Sequence, residues 1–354
     1  MNLILSPEPA PWLHQLETLL GPVGQGEVLA PWALPDVLKP WVPVPTRLRS
    51  AWERRRLPVP AGFRVWGLPG WAAVETGLRL AAPSAAAAFR ARFALRRRVA
   101  QAAAVLLPRS VEAVLAPSLC AREVFALARS RGARCVLVED LPSLRALHAD
   151  LDEAASRHPE ESFLRNHRAS AEDVARQEAE RLLADEVWVR GDFPRERLLS
   201  AGHSAERIRE LSDPLESPGG NPPPERKLGA HAHRVALLAG PALARSGLRE
   251  SLAALDARPE WSLWVRPSEG TDPRHLSHPR VRKVTAELQR TLQGVDAVLA
   301  PSWCESHPPE LARAVARGIP VIATDRAAGF LPCRTVPRGN VPALVAELDA
   351  LSAP

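Results

Sequence analysis

The chain has 354 residues, 46% of them hydrophobic and 24% charged, with a formal net charge of +6. Because this length exceeds the size at which a single hydrophobic core usually stops growing, we expect two domains of about 150 residues each. No segment approaches about 18 uninterrupted apolar residues, and the first residues read as a short apolar strand instead of a basic leader. These features argue against a membrane span and a signal peptide.

Nearly all of the positive charge is carried by arginine, since lysine occurs only at Lys39, Lys227 and Lys283. A modest basic excess can steer anionic ligands of any kind, including nucleotide diphosphates, anionic lipids and nucleic acids. The basic residues are spread along the chain, and no recognised nucleic-acid motif accompanies them. A nucleic-acid partner is therefore not expected.

The four cysteines, Cys120, Cys135, Cys304 and Cys333, lie far apart and form no CxxC pair. This spacing argues against a zinc site or a disulfide framework. We expect buried thiols that act as small hydrophobic side chains in a cytoplasmic protein.

The first half of the chain alternates apolar strand-like runs with helical patterns joined by short connections. Such a pattern predicts parallel strands and right-handed crossovers, so the fold class is α/β. The segment 31–71, rich in proline and tryptophan, is predicted to be irregular. The predicted strands cover 3–5, 27–30, 111–116, 134–139, 186–189 and 208–211, and the predicted helices cover 12–20, 84–107, 122–131, 171–183 and 194–201.

The helix predicted over 84–107 carries a cluster of arginines among apolar residues. Two interpretations stay open: a basic amphipathic face that contacts an anionic membrane, or an ordinary solvated face of a helix packed on a sheet. The first would make the protein peripheral at the inner membrane. The arginines are Arg90, Arg92, Arg96, Arg97 and Arg98.

The sequence SPGGNPPP at 217–224 is the clearest linker, since it combines flexible glycine with stiff proline. It predicts an N-terminal domain at 1–216, a linker at 217–227 and a C-terminal domain at 228–354. A new alternation follows the linker, with strands over 235–238, 261–265 and 281–284, helices over 248–255 and 287–292, and a last helix over 341–351.

The segment 295–324 reads as strand, loop, helix and strand. An apolar run ends at Pro301-Ser302, and a polar loop carries Glu305, Ser306 and His307. Pro308-Pro309 then opens a helix, which Gly318 closes before the next apolar run. This pattern is half of a doubly wound sheet with a binding loop at the carboxyl end of a strand.

Two stretches resemble family 4 glycosyltransferases of the GT-B fold. In 295–324 the matching residues are Asp296, Pro301-Ser302, Glu305 and Gly318-Ile319-Pro320; in 178–216 they are Glu178, Ala184-Asp185, Gly202 and Arg207-Ile208. The chain departs from the family pattern at Arg313, where a second glutamate is usual, and at Gly191, where serine is usual.

The resemblance implies two Rossmann-like, doubly wound domains that face each other across a cleft. It also implies an enzyme that moves a hexose from a UDP- or GDP-sugar to a glycan or lipid-linked acceptor, with retention and without a metal or another cofactor. No DxD-like metal motif lies in a plausible loop, which agrees with the metal-free mode.

For the donor site, the resemblance implies that Glu305 holds the sugar and that Ser302, Ser306 and nearby amides hold phosphate. Carboxylates are good bidentate partners for vicinal hydroxyls. His307 beside this loop is either structural or catalytic.

In the family, an arginine and a lysine that follow the first strand of the second domain bind the diphosphate, but Pro241 and Ser246 occupy those positions here. After Gly240, either Arg245 or Arg249 is the candidate substitute. Arg313 would pair with Glu310 or face the diphosphate.

Glu139 and Asp140 end a predicted strand of the first domain, where acid or base residues often lie; the alternative is a pair of ordinary turn carboxylates. Two other functions stay open for the whole chain. One is a non-catalytic GT-B protein that serves as a binding or assembly partner, which the substituted donor-site residues favour. The other is a sugar-nucleotide epimerase of similar fold, for which no matching set of catalytic His and Glu is seen.

Overall fold

The computed structural model describes residues 2–6, 26–30, 63–67, 85–166, 168–211, 224–225, 233–268, 270–304 and 306–352. The chain forms two compact units. The first contains Met1–Leu144, Ala169–Val189 and Gly202–Leu211, and the second contains Arg145–Arg168, Arg190–Ala201 and Ser212–Pro354. This division places 145–168 and 190–201 with the second unit. Most of the predicted linker at 217–227 lies outside the described residues, so the predicted domain boundaries stay a prediction.

The first unit contains a seven-stranded parallel sheet in the order β3-β2-β1-β4-β5-β6-β7. The chain runs outwards from β1 to β3, returns to the centre at β4 and runs outwards again, which is the doubly wound arrangement. Its strands are β1 (Asn2–Leu5), β2 (Gly26–Leu29), β3 (Phe63–Trp66), β4 (Ala113–Pro117), β5 (Arg134–Val138), β6 (Glu186–Val189) and β7 (Ile208–Glu210).

Strand β3 corrects the prediction that 31–71 is wholly irregular. It is a four-residue edge strand whose exposed face carries Arg64 and Trp66, so it lacks the long apolar run that marks the central strands. The helix predicted over 12–20 lies outside the described residues.

Three long helices of the first unit lie side by side, and they contact β1, β4 and β5. They are Ala85–Leu106, Arg122–Ser130 and Ala171–Leu183. The last begins with a capping box, in which Ser170 and Asp173 each bind the other's backbone N–H. All three agree with the predicted helices to within one residue at each end.

The arginines of helix Ala85–Leu106 do not form one free basic face. Arg96 is buried and pairs with Asp140 at 2.8 Å, and Arg97 pairs with Glu172 at 3.0 Å. Membrane contact through this helix stays a prediction. In the described parts of the chain, none of the helices combines the length and apolar character that crossing a bilayer requires.

The second unit contains a six-stranded parallel sheet in the order β10-β9-β8-β11-β12-β13. The chain leaves the centre from β8 towards β10 and then returns to β11, so the direction of winding changes between β8 and β11. The strands are β8 (Arg234–Pro241), β9 (Trp261–Arg266), β10 (Val281–Lys283), β11 (Ala297–Ala300), β12 (Val321–Ala323) and β13 (Arg334–Thr335).

Both faces of the second sheet are covered by apolar cores. Leu238 and Leu299 pack on the side of helices Leu248–Ala257 and Val341–Ser352. Their neighbours Leu237 and Val298 point to the opposite side, where helix Pro309–Ala316 packs. Burial on both faces explains why these strands read as continuous apolar runs instead of alternating patterns.

The remaining helices of the second unit are short or come from the segments 145–168 and 190–201. Helix Leu144–Arg157, which belongs to this unit from Arg145 onwards, was not predicted, although Leu144, Leu147 and Leu151 have helical spacing and are buried. The others are Phe163–Asn166, Asp192–Ser200, Ala286–Thr291 and Asp325–Ala328.

An aspartate fixes the strand register in each sheet. Asp296 donates its N–H to Val235 O at 2.8 Å, and its Oδ2 accepts the N–H of Val235 at 2.9 Å. Asp185 makes the same pair of bonds with Cys135, at 2.8 and 2.7 Å. Both residues therefore serve the sheets, and each ties the start of one strand to its parallel neighbour.

Gly247 allows a test of the close approach that shapes the second unit. It has φ +83°, and a Cβ added there would lie 2.3 Å from Pro301 O. We expect Gly247→Ala to lower the free energy of unfolding by about 2 to 4 kcal/mol. The cost of a left-handed alanine and the cost of the overlap between its Cβ and Pro301 O add together.

Denaturant unfolding would measure this loss. Gly294→Ala is the matched control in the same unit, since its φ is +75° but its Cβ would meet Trp264 at an ordinary 3.5 Å. Equal losses in the two variants would show that the contact with Pro301 is not tight.

Candidate functional site

A cavity of about 310 Å³ lies at the carboxyl edge of the second sheet. Its walls come from the ends of β8, β9 and β11 and from the loop that leads into helix Pro309–Ala316. Ligands of doubly wound sheets bind at this edge, where the direction of winding changes. The lining residues are Ala239, Gly240, Pro241, Arg245, Ser246, Arg266, Ala300, Ser302, Cys304, Ser306, His307, Pro308, Pro309 and Glu310.

The loops after β8 and β11 are tied directly to each other. Trp303 N donates to Arg245 O at 2.9 Å, and the Ser302 hydroxyl lies 3.1 Å from the same oxygen. Gly247 leaves no room for a side chain against Pro301. These contacts fix the two loops as one wall of the cavity.

Gly240 ends the buried part of β8 in a left-handed conformation, φ +73°, which glycine adopts without strain. Its carbonyl accepts a hydrogen bond from Gln289 Nε2 at 2.8 Å, and the buried Gln289 accepts through Oε1 the Nε–H of Arg266. The guanidinium of Arg266 is thereby held at the cavity. Sequence reasoning missed Arg266, although a charged residue at the end of a buried apolar run was a usable signal.

Glu310 is a buried carboxylate on the cavity wall, only 6% exposed. It lies in the first turn of helix Pro309–Ala316, where the helix dipole favours negative charge. Gly240 N donates to its Oε2 at 3.3 Å, which is a long bond. The sequence offered Glu310 only as a partner of Arg313, so its place in the cavity is a new observation.

Five of the predicted donor-site residues, Gly240, Arg245, Ser302, Ser306 and His307, line this one cavity. Glu305 lies outside the described residues. Arg313 is half-buried on the helix and is not among the lining residues.

Arg249, the other predicted phosphate ligand, is absent from the lining of this cavity. It pairs with Glu160 at 2.7 Å and borders a different cavity. Of the two candidates left open by the sequence, Arg245 borders the cavity at the carboxyl edge of the second sheet and Arg249 does not, and phosphate binding by either stays a prediction.

The start of helix Pro309–Ala316 offers few backbone donors to a ligand. Pro308 and Pro309 have no N–H, and Leu311 N donates to Pro308 O at 3.1 Å. The amide of Ser306 donates to Arg326 O at 2.9 Å. An anion in this cavity would depend on guanidinium and hydroxyl groups more than on backbone amides.

In the first unit, Glu139 and Asp140 follow β5, and both are engaged in ion pairs. Glu139 is buried and binds Arg181 through both oxygens, at 2.7 and 2.8 Å. Asp140 binds Arg96 in the same way, at 3.0 and 2.8 Å. These ion pairs give both carboxylates a structural role, and their acid–base role stays a prediction.

A third carboxylate of the first unit, Glu180, fills the place where β4 meets its following helix. It is fully buried and accepts the N–H groups of Leu119, Ala121 and Arg122 at 2.6, 2.9 and 3.0 Å. Burial raises the pKa of this carboxyl to about 7, against the opposing effects of Arg176 and these donors. The backbone donors at this turn are thus used by the protein's own side chain.

Three of the four cysteines are buried, as predicted, and Cys333 is half-buried. Cys304 borders the cavity, but burial raises the pKa of its thiol to about 12. Because the thiolate is the nucleophilic form, Cys304 is protonated and inert at neutral pH.

Among the residues that the structure describes, Glu161, Asp272 and His275 have ligand atoms within 4.8 Å of one another, as a metal site requires. Each is already engaged: His275 Nε2 lies 2.7 Å from Glu161 Oε1, and the Arg274 guanidinium binds Asp272. Arg249 Nε is also 3.9 Å from Glu161 Oε1. A cation would have to compete with two guanidinium groups at this cluster.

The loop after β11, which lines this cavity, is anchored by a buried group of hydrogen bonds around Trp303. Trp303 Nε1 donates to Glu250 Oε1 at 2.8 Å, and His158 Nε2 lies 2.8 Å from the same oxygen. The hydrogen bond to Glu250 raises the pKa of His158 above its ordinary value. Helix Leu248–Ala257 and the segment 145–168 thus hold the tryptophan that stands between Ser302 and Cys304.

No protein-family model matches the chain, and no curated protein matches it. Solved structures do resemble it. The apo lipopolysaccharide outer core galactosyltransferase WaaB is 15% identical, with a TM-score of 0.55 over 99% of this chain and 90% of that one. HepE of Anabaena, solved with UDP and glucose, is 14% identical, with a TM-score of 0.54 over 99% and 89%.

Sucrose-phosphate synthase of Thermosynechococcus elongatus is also similar, at 14% identity and a TM-score of 0.52 over 99% of this chain and 89% of that one. At these identities the comparison establishes the fold. The predicted α/β class with GT-B, Rossmann-like architecture is confirmed.

His158 provides a pH test of the loop anchor. Because its pKa in the folded protein is raised, the bond to Glu250 stabilises the fold fully below pH 6.5, and this contribution is lost as pH rises through the raised pKa. We expect Glu250→Gln to lower the pKa of His158 below its ordinary value, since burial and Arg249 then outweigh the smaller raising effect of Glu160.

Histidine NMR titration between about pH 5 and pH 8 would follow the change, with His158→Gln to assign the resonance. His148, whose pKa is lowered by burial and by Arg168, is an internal control that should not respond. An unchanged His158 pKa in Glu250→Gln would refute the anchor.

Proposed function

We propose that this protein is a glycosyltransferase that moves a hexose from a nucleotide diphosphate sugar to a glycan or lipid-linked acceptor. The observation that carries the proposal is the cavity at the switch point of the second sheet, which we call the donor cavity and which is lined by two arginines, two serines and the buried Glu310. HepE, which shares the fold, has been solved with UDP and with UDP-glucose. This supports a nucleotide sugar, with UDP as the first nucleotide to test.

Arg245 and Arg266 would bind the diphosphate. A guanidinium presents several N–H donors in a fixed plane, which suits phosphate oxygens. As the sugar–phosphate bond breaks, negative charge grows on the leaving diphosphate, and cations that are already held in place stabilise it without reorganisation. The bond from Arg266 to Gln289 supplies that preorganisation.

Carboxylates would hold the hydroxyl groups of the donor. Glu310 faces the cavity with both oxygens available as acceptors apart from one long bond from Gly240, so it can accept hydrogen bonds from ribose. The role of sugar ligand is assigned to Glu305, on the basis of the resemblance. In this proposal Glu310 accepts the ribose hydrogen bonds. Arg313, which stands where the family has its second glutamate, has only donors and cannot accept them.

We propose a retaining and metal-independent reaction. Retention rests on the resemblance alone. Independence from metal is supported by the two guanidinium groups, because they supply the positive charge that a divalent cation supplies to diphosphates elsewhere. Transfer that is unaffected by EDTA would support it.

A second candidate is a GT-B protein that binds a partner or nucleotide without catalysis. The amide-poor start of helix Pro309–Ala316 and the position of Arg313 away from the cavity favour it. Tight nucleotide binding, with neither transfer nor hydrolysis of a panel of hexose conjugates, would establish this second candidate.

The donor cavity predicts which arginine matters for nucleotide binding. We expect Arg266→Ala to weaken UDP roughly 10- to 150-fold, because a charge-assisted hydrogen bond contributes about 1.5 to 3 kcal/mol. Isothermal titration calorimetry with UDP and GDP would measure the effect.

Arg258→Ala is the matched control, since Arg258 belongs to the same unit but pairs with Asp349 on an exposed surface. Absence of UDP and GDP binding at millimolar nucleotide would exclude the proposed glycosyltransferase activity. Equal weakening by the two variants would remove Arg266 from the site.

Two carboxylates should affect different parts of the donor. We expect Glu310→Gln to weaken UDP and UDP-hexose by the same factor, about tenfold, because a ribose contact is common to both. Glu305→Ala should weaken UDP-hexose and leave UDP unchanged.

Calorimetry with UDP and UDP-hexose on both variants provides the four affinities. If Glu305→Ala weakens the free nucleotide as much as the sugar conjugate, its role as sugar ligand is wrong. If Glu310→Gln changes neither affinity, the ribose role of Glu310 is wrong.

A further inference from the structure

A second cavity of the same unit, about 520 Å³, lies behind the loop that carries the donor cavity. Trp303 forms part of its wall, and we call it the Trp303 cavity. Its volume is in the range of small-molecule sites. Most of its lining residues lie on helix Leu248–Ala257, on the turn at 274–278 and at the end of helix Leu144–Arg157; Gly339 and Val341 complete the wall with Trp303.

The most telling group in the Trp303 cavity is the carboxylate of Glu250. It is 3% exposed, and its Oε1 is used by Trp303 and His158. Its other oxygen, Oε2, is buried and has no hydrogen-bond partner among the described residues. Because a buried, unpaired charged oxygen is costly, this atom calls for a donor such as a hydroxyl group.

Guanidinium groups surround the cavity opening. Arg157, Arg249 and Arg274 belong to the lining and are 50%, 36% and 71% exposed. Their carboxylate partners are Glu153, Glu160 and Asp272. The exposed pairs of Arg157 and Arg249 contribute little to stability, so these guanidinium groups can exchange a carboxylate for a ligand anion at small cost. Arg274 binds Asp272 through Nε and Nη2, and its remaining N–H groups can reach a ligand.

The other titratable groups of the lining already have partners, inside or outside it. Asp256 pairs with His278 at 3.0 Å and with Arg280, outside the lining, at 3.5 Å. His275 pairs with Glu161 at 2.7 Å. Leu252 and Val341 add apolar surface. The groups left for a ligand are therefore one acceptor deep in the cavity and cations at its rim.

We propose that the Trp303 cavity binds a hydroxylated anion of the sugar phosphate or sugar acid class, with a hydroxyl group on Glu250 Oε2 and the anionic group on Arg249, Arg274 and Arg157. A neutral sugar would bind only the Glu250 carboxylate, and a simple anion would bind only the three guanidinium groups. The size of the cavity accommodates both parts in one molecule.

Trp303 connects this site to the donor cavity. Trp303 borders the Trp303 cavity, while its neighbours Ser302 and Cys304 border the donor cavity. The backbone N–H of Trp303 donates to Arg245 O. A ligand that changes the position of Trp303 would change the wall that carries Arg245. The proposal for binding itself does not depend on glycosyl transfer, whereas this coupling does depend on nucleotide binding at the first cavity.

Calorimetry on the full chain tests the binding, with glucose 6-phosphate and glucuronate as probes and with glucose and inorganic phosphate as their separate halves. We expect saturable binding of both probes, about tenfold tighter than either half, because two sets of charge-assisted bonds form together. Binding of phosphate as tight as that of the sugar phosphate would overturn the proposal in favour of an adventitious ion only.

Variants locate the site. We expect Arg274→Ala, on an exposed side chain, to weaken both probes about tenfold. Glu250→Gln keeps an oxygen for Trp303 but places an NH₂ group where the hydroxyl would donate, so it should abolish the preference for the probes over inorganic phosphate. If Glu250→Gln fails to fold, the affinity of Arg274→Ala for the two probes decides whether they bind in the Trp303 cavity.

Arg266→Ala in the donor cavity and Arg258→Ala on the surface are the controls, and neither should change the affinity for the probes. Loss of probe binding in Arg266→Ala would place the ligand in the donor cavity and overturn the proposal. An affinity for UDP that changes when the Trp303 cavity is saturated would establish the coupling. Unchanged UDP affinity would remove the coupling and leave the binding site intact.

Discussion

The contact between Gly247 and Pro301 is the constraint on which the second unit depends. With no side chain at Gly247, helix Leu248–Ala257 begins directly against the end of β11, and the loops after β8 and β11 share hydrogen bonds at Arg245 O. One approach therefore sets the wall of the donor cavity and the direction of the helix that carries Glu250 to Trp303. A larger residue at position 247 would displace both loops, because backbone cannot give way as a flexible side chain does.

The electrostatic design of the donor cavity differs from the usual one for phosphate at a helix start. Helix N-termini commonly bind anions through backbone N–H groups, but Pro308 and Pro309 lack two of those donors here, and the amide of Ser306 donates to Arg326 O. Positive charge comes from Arg245, in the loop after β8, and from Arg266, at the end of β9. A site built in this way keeps its charge but loses the directional amides, so its affinity depends on how firmly each guanidinium is held. Gln289 holds one of them.

The central strands and the helix Ala171–Leu183 were predictable because burial on both sheet faces and a capping box leave strong local signals. The edge strand Phe63–Trp66 leaves almost none, since one of its sides is exposed. At the site, strand ends located Gly240 and Ser302 from sequence. The choice between Arg245 and Arg249 could not be made there, because the two lie on separate elements, the turn Ala244–Ser246 and helix Leu248–Ala257, and the fold alone decides which element borders the cavity. Arg266 and Glu310 were missed because their roles depend on contacts with Gln289 and Gly240, far away in the chain.

The donor cavity and the Trp303 cavity lie on either side of the loop that carries Trp303, and their charged groups are arranged differently. The donor cavity is lined by two arginines, one of which is held by Gln289, whereas the Trp303 cavity has a buried acceptor and exposed guanidinium groups. A diphosphate needs the first arrangement, because its charge must be neutralised where the bond breaks. A ligand that only signals its presence is better matched by the second, since exposed ion pairs open and close at small cost. The buried bond from Trp303 to Glu250 joins the two arrangements, so a change at either cavity has a short physical route to the other.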